Sequence, residues 1–459
     1  MNSWQTAYNF FALPPARAAL RIAAPWKPKL RAGLDGRKAS FARMESFLAA
    51  HCDGQARGGI LLHASSVGEY LQAAPLMQRI RQAGSSLPLY LSYFSPSVEK
   101  RALSCNHANL SFFLPEDTRG NMKRLLNTLA PRLIVVSKFD IWPNLVWEAA
   151  YRGIPVVVTA ATLSPDSGRL RGVAGSFHRS FYSLLSQVCA ISREDADNFI
   201  QLGVAPQCCV VTGDTRFDQT WERALAVEQN DSLLKPFQGW NDGVKLAAGS
   251  IWPADQQKLL PALGKLCGRF ANLRLILAPH EPSAEHVRQL TGFCDQSGLK
   301  WESYSSFNAS ASNDQTRRQV EPDTRVVIVD TVGALAAVYR AADLAYIGGS
   351  FSSGVHNTME PACFALPLLF GPRYLNSYEA RLMLEAGGAF TADTAELIEQ
   401  QAGRLIDDED FRQLCGQSAC RVVKSNLGAT DRTVRALSDF FPELIPQAVS
   451  LPDQETGND

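Results

Sequence analysis

The feature that most constrains this chain is a repeat of pattern: short apolar, β-branched runs, each ending in small or polar residues, alternate with helical stretches. Parallel βα units read this way, because strands covered by helices on both faces become nearly continuous hydrophobic runs. The first half predicts strands at Gly59–Ala64, Leu89–Tyr93, Leu133–Ser137, Pro155–Thr159, Val188–Ile191 and Val210–Thr212. A second series predicts Val244–Ala248, Leu273–Ala278, Val326–Val329, Leu344–Gly348, Pro367–Phe370 and Ala389–Thr391. Two open parallel sheets are implied, and 459 residues are ample for two cores. The break falls in Glu222–Asp242, where Gln229-Asn230-Asp231 and the stretch from Pro236 to Asp242 cluster turn formers. The expected division is a basic aromatic segment at 1–40, a first Rossmann-like domain at 41–225 and a second at 226–459, with a polar tail after Glu443. Ser305–Pro322, rich in Ser, reads as a surface excursion.

Composition matters here for what it excludes. With 46% hydrophobic and 20% charged residues the chain is far from a disordered profile. Forty-five basic residues against 45 acidic ones argue against a dedicated nucleic-acid binder, which carries a basic excess. The balance hides an asymmetry. Residues 1–40 hold seven basic side chains (Arg17, Arg21, Lys27, Lys29, Arg31, Arg37 and Lys38) and one acid, Asp35. Trp4, Tyr8, Phe10, Phe11, Leu13, Leu20, Ile22 and Trp26 interleave with them, and Pro14-Pro15 is expected to interrupt any long helix. Two readings stand: an arm packing its aromatics on its own domain, or an interfacial anchor in which each Lys or Arg near an anionic leaflet adds roughly 1 kcal/mol. The second is preferred. A true span is not expected, since no stretch approaches ~20 consecutive apolar residues. Ten cysteines without a CxxC pair, and no clear secretory leader, fit reduced thiols. Seven histidines without HExxH spacing predict no metal, and no cofactor is expected.

The unusual polar residues follow predicted strand ends, where open α/β sheets bind ligands. Ser65-Ser66-Val67-Gly68-Glu69 leaves the first strand and delivers a carboxylate to a helix start. Glu69 is either a helix N-terminal acid, worth roughly 0.3–1 kcal/mol, or a general base, worth about 10²–10⁴-fold in rate. Lys138-Phe139-Asp140-Ile141-Trp142-Pro143-Asn144 follows another strand, with Trp142-Pro143 equally suited to packing at a helix start. In the second half, Gly348 through Pro361 follows a strand and opens a helix. Its glycines admit a ligand close to the backbone, while His356, Asn357 and Glu360 supply donors and acceptors. Gly249-Ser250, His280-Glu281, the turn through Gly333 and the turn from Gly371 to Asn376 sit at other strand ends.

Taken in order, Ser66-Val67-Gly68-Glu69, Ile141-Trp142-Pro143-Asn144, Leu163-Ser164, Gly213 through Asp218 and His356-Asn357-Thr358-Met359-Glu360-Pro361 resemble the Kdo transferase family. That family moves 3-deoxy-D-manno-octulosonic acid (Kdo) from CMP-Kdo to a lipid A precursor. The resemblance implies a GT-B fold, two Rossmann-like domains with parallel sheets facing a central cleft, and an inverting glycosyltransferase of lipopolysaccharide core biosynthesis. It implies Glu69 as catalytic base and Ser250, His280, Gly333, Gly349, Ser350, His356, Asn357, Glu360 and Asn376 as donor-binding. Ser66, Lys138, Asp140 and Arg216 fall at acceptor- or Kdo-binding positions, and the implied location is the cytoplasmic face of the inner membrane. Lys138 stands where the family usually has an acid, Ala160 and Thr162 replace Asn and Arg, and Asp214 and Arg216 replace Asn and Lys. His280-Glu281 takes an Arg-His position, and Ala334 that of a Glu. The competing expectations are a UDP-sugar glycosyltransferase or epimerase of the same fold, and a non-catalytic nucleotide or lipid sensor.

Overall fold

The computed structural model describes residues 3–51, 56–138, 140–228, 234–240, 242–307 and 318–446. The turn cluster Gln229-Asn230-Asp231, residues 308–317 of the expected excursion and the tail from 447 lie outside the described residues. Two units result: one takes the chain to Gln219 and again from Gly428, the other Thr220–Leu427.

The first unit carries β1 (Ile60–Ala64), β2 (Leu89–Tyr93), β3 (Leu110–Phe113), β4 (Leu133–Ser137), β5 (Val156–Ala161), β6 (Gln187–Ala190) and β7 (Cys209–Val211). They form one sheet in the order β3-β2-β1-β4-β5-β6-β7, every pairing parallel. The second carries β8 (Lys245–Ile251), β9 (Arg274–Pro279), β10 (Trp301–Ser303), β11 (Val326–Ile328), β12 (Leu344–Ile347), β13 (Leu368–Phe370) and β14 (Ala389–Thr391). Its order is β10-β11-β9-β8-β12-β13-β14, again parallel. Each order reverses once, between β1 and β4 and between β8 and β12. A reversal of this kind opens a crevice at the carboxyl ends of the strands. The central strands are largely apolar, and all five residues of β1, β2 and β4 are buried. The strands that sequence reading missed, β3 and β10, are short; β10 is an edge strand of three half-buried residues, so it lacks the apolar run that marks its neighbours.

Three expectations need correction. The helix Ala429–Phe440 belongs to the first unit, not to a continuous second domain from 226 to the end. Its apolar stripe, Val434 and Leu437, packs with Leu62, Leu76 and Ile80. Asp218 accepts from Gly428 N, Thr430 N and the Thr430 hydroxyl at 2.6–2.7 Å. Leu444 and Ile445 are buried, so the fold continues past Glu443. Pro14 and Pro15 do not break the helical run, which passes from Ser3–Ala7 through a π-helical turn, Tyr8–Ala12, into the helix Leu13–Ala23 with the prolines in its first turn.

The N-terminal segment divides by side chain. Trp4 and Tyr8 turn inward, with ring centroids 5.8 Å and 5.7 Å from Phe177, and Tyr8 donates to Asp117 at 3.0 Å. Arg17 and Arg21 pair with Glu116. Phe10, Phe11, Ile22 and Trp26 remain 67–76% exposed. Among the described residues no helix is long and apolar enough to cross a membrane.

Candidate active site

In the first unit the β1–β4 crevice gathers a polar network. Ser66 precedes the helix Val67–Gln82, and its backbone N–H donates to Glu69 Oε2 at 2.7 Å while its hydroxyl donates to the same oxygen. This is the reach-back half of a capping box, so the helix-start reading of Glu69 holds as geometry. Glu69 is buried, and its Oε1 accepts from no protein donor among the described residues. One strand turn earlier, His63 is wholly buried on β1 and faces Ser92 across the β1–β2 ladder, Nδ1 to Oγ 3.0 Å. The Trp142 indole N–H reaches His63 Nε2 at 3.1 Å. An indole only donates, so Nε2 is the acceptor and the ring proton sits on Nδ1. The Ser65 hydroxyl lies 2.9 Å from that Nε2 and donates to Asp140. Burial holds the imidazole below its usual range, against the pull of Asp140 and Glu69.

The remaining first-unit candidates lie along the same sheet edge. Lys138 follows β4 in the left-handed region, φ 71°, its N–H on Thr159 O at 2.7 Å. Arg216 is committed to Asp214, at 2.8 Å from Nε and 2.6 Å from the terminal nitrogen. Gln72 reaches the other Asp214 oxygen at 3.4 Å, linking the pair to the Glu69 helix. The acid at 214 therefore neutralises much of the positive charge at 216.

In the second unit the β8–β12 crevice is built on close backbone approaches. Gly349 has φ 95°, and a Cβ there would meet Gly354 O at 2.5 Å and His356 Cδ2 at 2.6 Å, so only glycine fits. Asp255, buried in the first turn of the helix Pro253–Arg269, accepts from Gly349 N at 2.8 Å, Trp252 N at 2.9 Å and the Tyr346 hydroxyl at 3.2 Å. Ser350 is also buried and accepts from Gly371 N at 2.6 Å, while Asn376 donates to Val355 O at 3.2 Å. Ser250 has φ 55° where the β8–β9 register shifts, a left-handed non-glycine that costs about 1–3 kcal/mol and concentrates at ligand sites. Burial raises the Glu360 carboxyl above its ordinary range, opposed by Arg223.

His280, His356 and Trp252 form one aromatic group. Trp252 Nε1 donates to His356 Nε2 at 2.6 Å, the two planes within 7°. His280 lies against both rings, with centroids 4.3 Å from Trp252 and 4.5 Å from His356. Burial and the neighbouring His280 hold the His356 imidazole below its usual range. Asn357 is exposed, its side-chain oxygen accepting from Met359 N at 3.0 Å. Gly333, φ 94°, stands exposed on the turn after β11. Sequence reasoning missed Trp252, Asp255, His63 and Asp117 as members of these networks. For Trp252 a signal existed, since Ile251-Trp252-Pro253 repeats Ile141-Trp142-Pro143 at a second strand end. Among the described residues no group of three or more His, Cys, Asp or Glu is arranged to hold a metal ion.

Comparison with known proteins adds independent findings. A family model described as 3-deoxy-D-manno-octulosonic-acid transferase (kdotransferase) matches residues 36–219. The 3-deoxy-D-manno-octulosonic acid transferase of Haemophilus influenzae is 26% identical over 392 residues, 83% of this chain and 87% of that protein. The Bordetella pertussis protein of the same name is 27% identical over 396 residues, 83% and 87% of the two chains. Among solved structures, UDP-GlcNAc 2-epimerase from Neisseria meningitidis bound to UDP-GlcNAc superposes with a TM-score of 0.60 at 12% identity, covering 83% of this chain and all of that one. That likeness is one of fold, the GT-B type with two parallel-sheet units. A family match over most of the first unit and relatives aligned over most of the chain together support placing this protein with the Kdo transferases, a family of glycosyltransferases.

Proposed function

We propose that this enzyme transfers Kdo from CMP-Kdo to a lipid A precursor, with inversion, at the cytoplasmic face of the inner membrane. The observation that carries the reading is a buried carboxylate, Glu69, at the β1–β4 switch point, with one oxygen tied to the helix start and the other without a protein donor among the described residues. In this reading Oε1 takes the proton of the acceptor hydroxyl as that oxygen attacks the anomeric carbon, and CMP departs with the bonding pair. The tie through Oε2 fixes the carboxylate's orientation, which a base needs to act on one hydroxyl only. Lys138 and Asp140 flank the acceptor side with opposite charges. Because Arg216 is paired to Asp214, its charge is partly neutralised before any sugar carboxylate arrives.

CMP is assigned to the β8–β12 crevice. His280, His356 and Asn376 supply N–H donors for the phosphate, Ser250, Gly333, Gly349 and Ser350 shape the backbone around it, and Glu360 with Asn357 accepts from ribose hydroxyls. Membrane association is assigned to Phe10, Phe11, Ile22 and Trp26, the outward apolar residues beside Lys27, Lys29 and Arg31.

The test is a transfer assay with CMP-Kdo or UDP-GlcNAc as donor and a lipid A precursor as acceptor, with product mass by mass spectrometry. A Kdo mass increment from CMP-Kdo alone is expected. Turnover of UDP-GlcNAc without CMP-Kdo turnover would sink the donor assignment. For the membrane, co-sedimentation with anionic vesicles should weaken when Phe10, Phe11 and Trp26 become serine, and unchanged binding removes that element.

A further inference from the structure

The coplanar Trp252–His356 pair is the observation that the proposed reaction leaves unexplained. Two rings joined edge to edge at 2.6 Å and 7° place the indole N–H on the in-plane lone pair of His356 Nε2. An indole nitrogen has no acceptor capacity, so a proton on Nε2 would face another N–H. Trp252 is itself held at both ends. Its backbone N–H is bound by buried Asp255, which also binds Gly349 N beneath the imidazole, and its ring is covered by His280. The Gly349 surface meets the imidazole edge closely, which leaves the ring little freedom to flip its two nitrogens.

We propose that Trp252 is a positioning residue that sets the tautomer of His356, so that Nδ1–H is the donor this ring presents to the nucleotide phosphate. The inference rests on the assignment of CMP to the β8–β12 crevice, and it goes further by naming which nitrogen acts and what fixes it. Asp255 serves the same end by fastening Trp252 and Gly349 to one carboxylate. Trp252 touches His356 and not the phosphate.

The experiment is long-range ¹H–¹⁵N correlation spectroscopy on the full chain labelled at histidine, with the His356 signals identified by their loss in His356→Gln. The wild type should show the Nδ1–H pattern at pH 7.5. Trp252→Phe, which keeps a stacking ring and removes the N–H, should shift His356 toward a mixture of tautomers and raise the Kd for CMP about 5–10-fold, the loss of roughly one hydrogen bond. An Nε2–H or doubly protonated His356 in the wild type overturns the proposal, as does an unchanged tautomer in Trp252→Phe. The wild-type spectrum decides the tautomer even if the variant does not fold. If CMP leaves the His356 signals unmoved while the Nδ1–H pattern is present, the crevice assignment falls and the tautomer assignment stands.

Discussion

The same tripeptide does different work in the two units. Ile141-Trp142-Pro143 follows β4 and Ile251-Trp252-Pro253 ends β8; each Trp precedes a helix opened by proline, and each indole N–H lands on a histidine Nε2 across the switch point. In the first unit the histidine is on the strand itself, and both of its nitrogens are engaged, by Ser92 on one side and by Trp142 on the other. In the second it follows the strand, half-buried, and Nδ1 has no protein partner among the described residues. The difference teaches that one local device can close a core or aim a donor, depending on where the receiving histidine lies along its strand. The first unit encloses its imidazole, while the second leaves His356 half-buried and His280 exposed.

The contrast is open to breakage at several points. Glu69→Gln preserves an acceptor for the Ser66 N–H, so thermal stability should change little while kcat falls about 10²–10⁴-fold in the transfer assay. Near-normal turnover would reduce Glu69 to a helix cap. His63→Ala should destabilise the first unit by about 2–4 kcal/mol in urea titration, because it empties a fully buried site and leaves the Trp142 N–H without its acceptor. His356→Ala should cost less, about 1 kcal/mol for the Trp252 N–H left without its acceptor at a half-buried site, but raise the CMP Kd on the order of 10-fold. Equal stability losses in the two alanine variants would erase the distinction between a closed and an aimed histidine.

The smallest effect is in pH. His63 is held below its unfolded value by burial, so the unfolded chain binds the extra proton first. Its contribution is intact above about pH 6.5, the unfolded histidine value, and is lost as pH falls below it. Asp117 runs the other way: burial pushes its carboxyl up to about 7, which favours the native state as pH falls toward the unfolded carboxylate value. The two oppose each other, and a comparison isolates the histidine. His63→Gln should lose less stability than the wild type between pH 7 and pH 5, and parallel slopes would assign the effect elsewhere.

Much of this architecture is legible in the residues. Twelve strand expectations correspond to observed strands, because buried parallel strands leave β-branched runs that helices between them do not. The glycine-lined turn from Gly348 to Pro361 and the Glu69 helix start were visible because a strand end followed by small residues is local in sequence. The edge strands β3 and β10 were less so. Their stability comes from a single neighbour each, Tyr90–Tyr93 for β3 and Val326–Ile328 for β10, and pairing of that kind leaves no strong local pattern. The networks around Asp255, Asp117 and His63 were hidden for a related reason: their partners stand 27 to 109 residues away.

The sequence by itself determined that there are two parallel α/β units, where their strand ends fall and which polar residues gather there, since hydrophobic period and turn chemistry act over a few residues. Tertiary structure alone decided that the helix Ala429–Phe440 returns to the first unit, and that the indoles of Trp142 and Trp252 meet His63 and His356. Those outcomes depend on groups meeting across long stretches of chain, and a hydrogen bond or an ion pair exists only where two such groups come within about 3 Å.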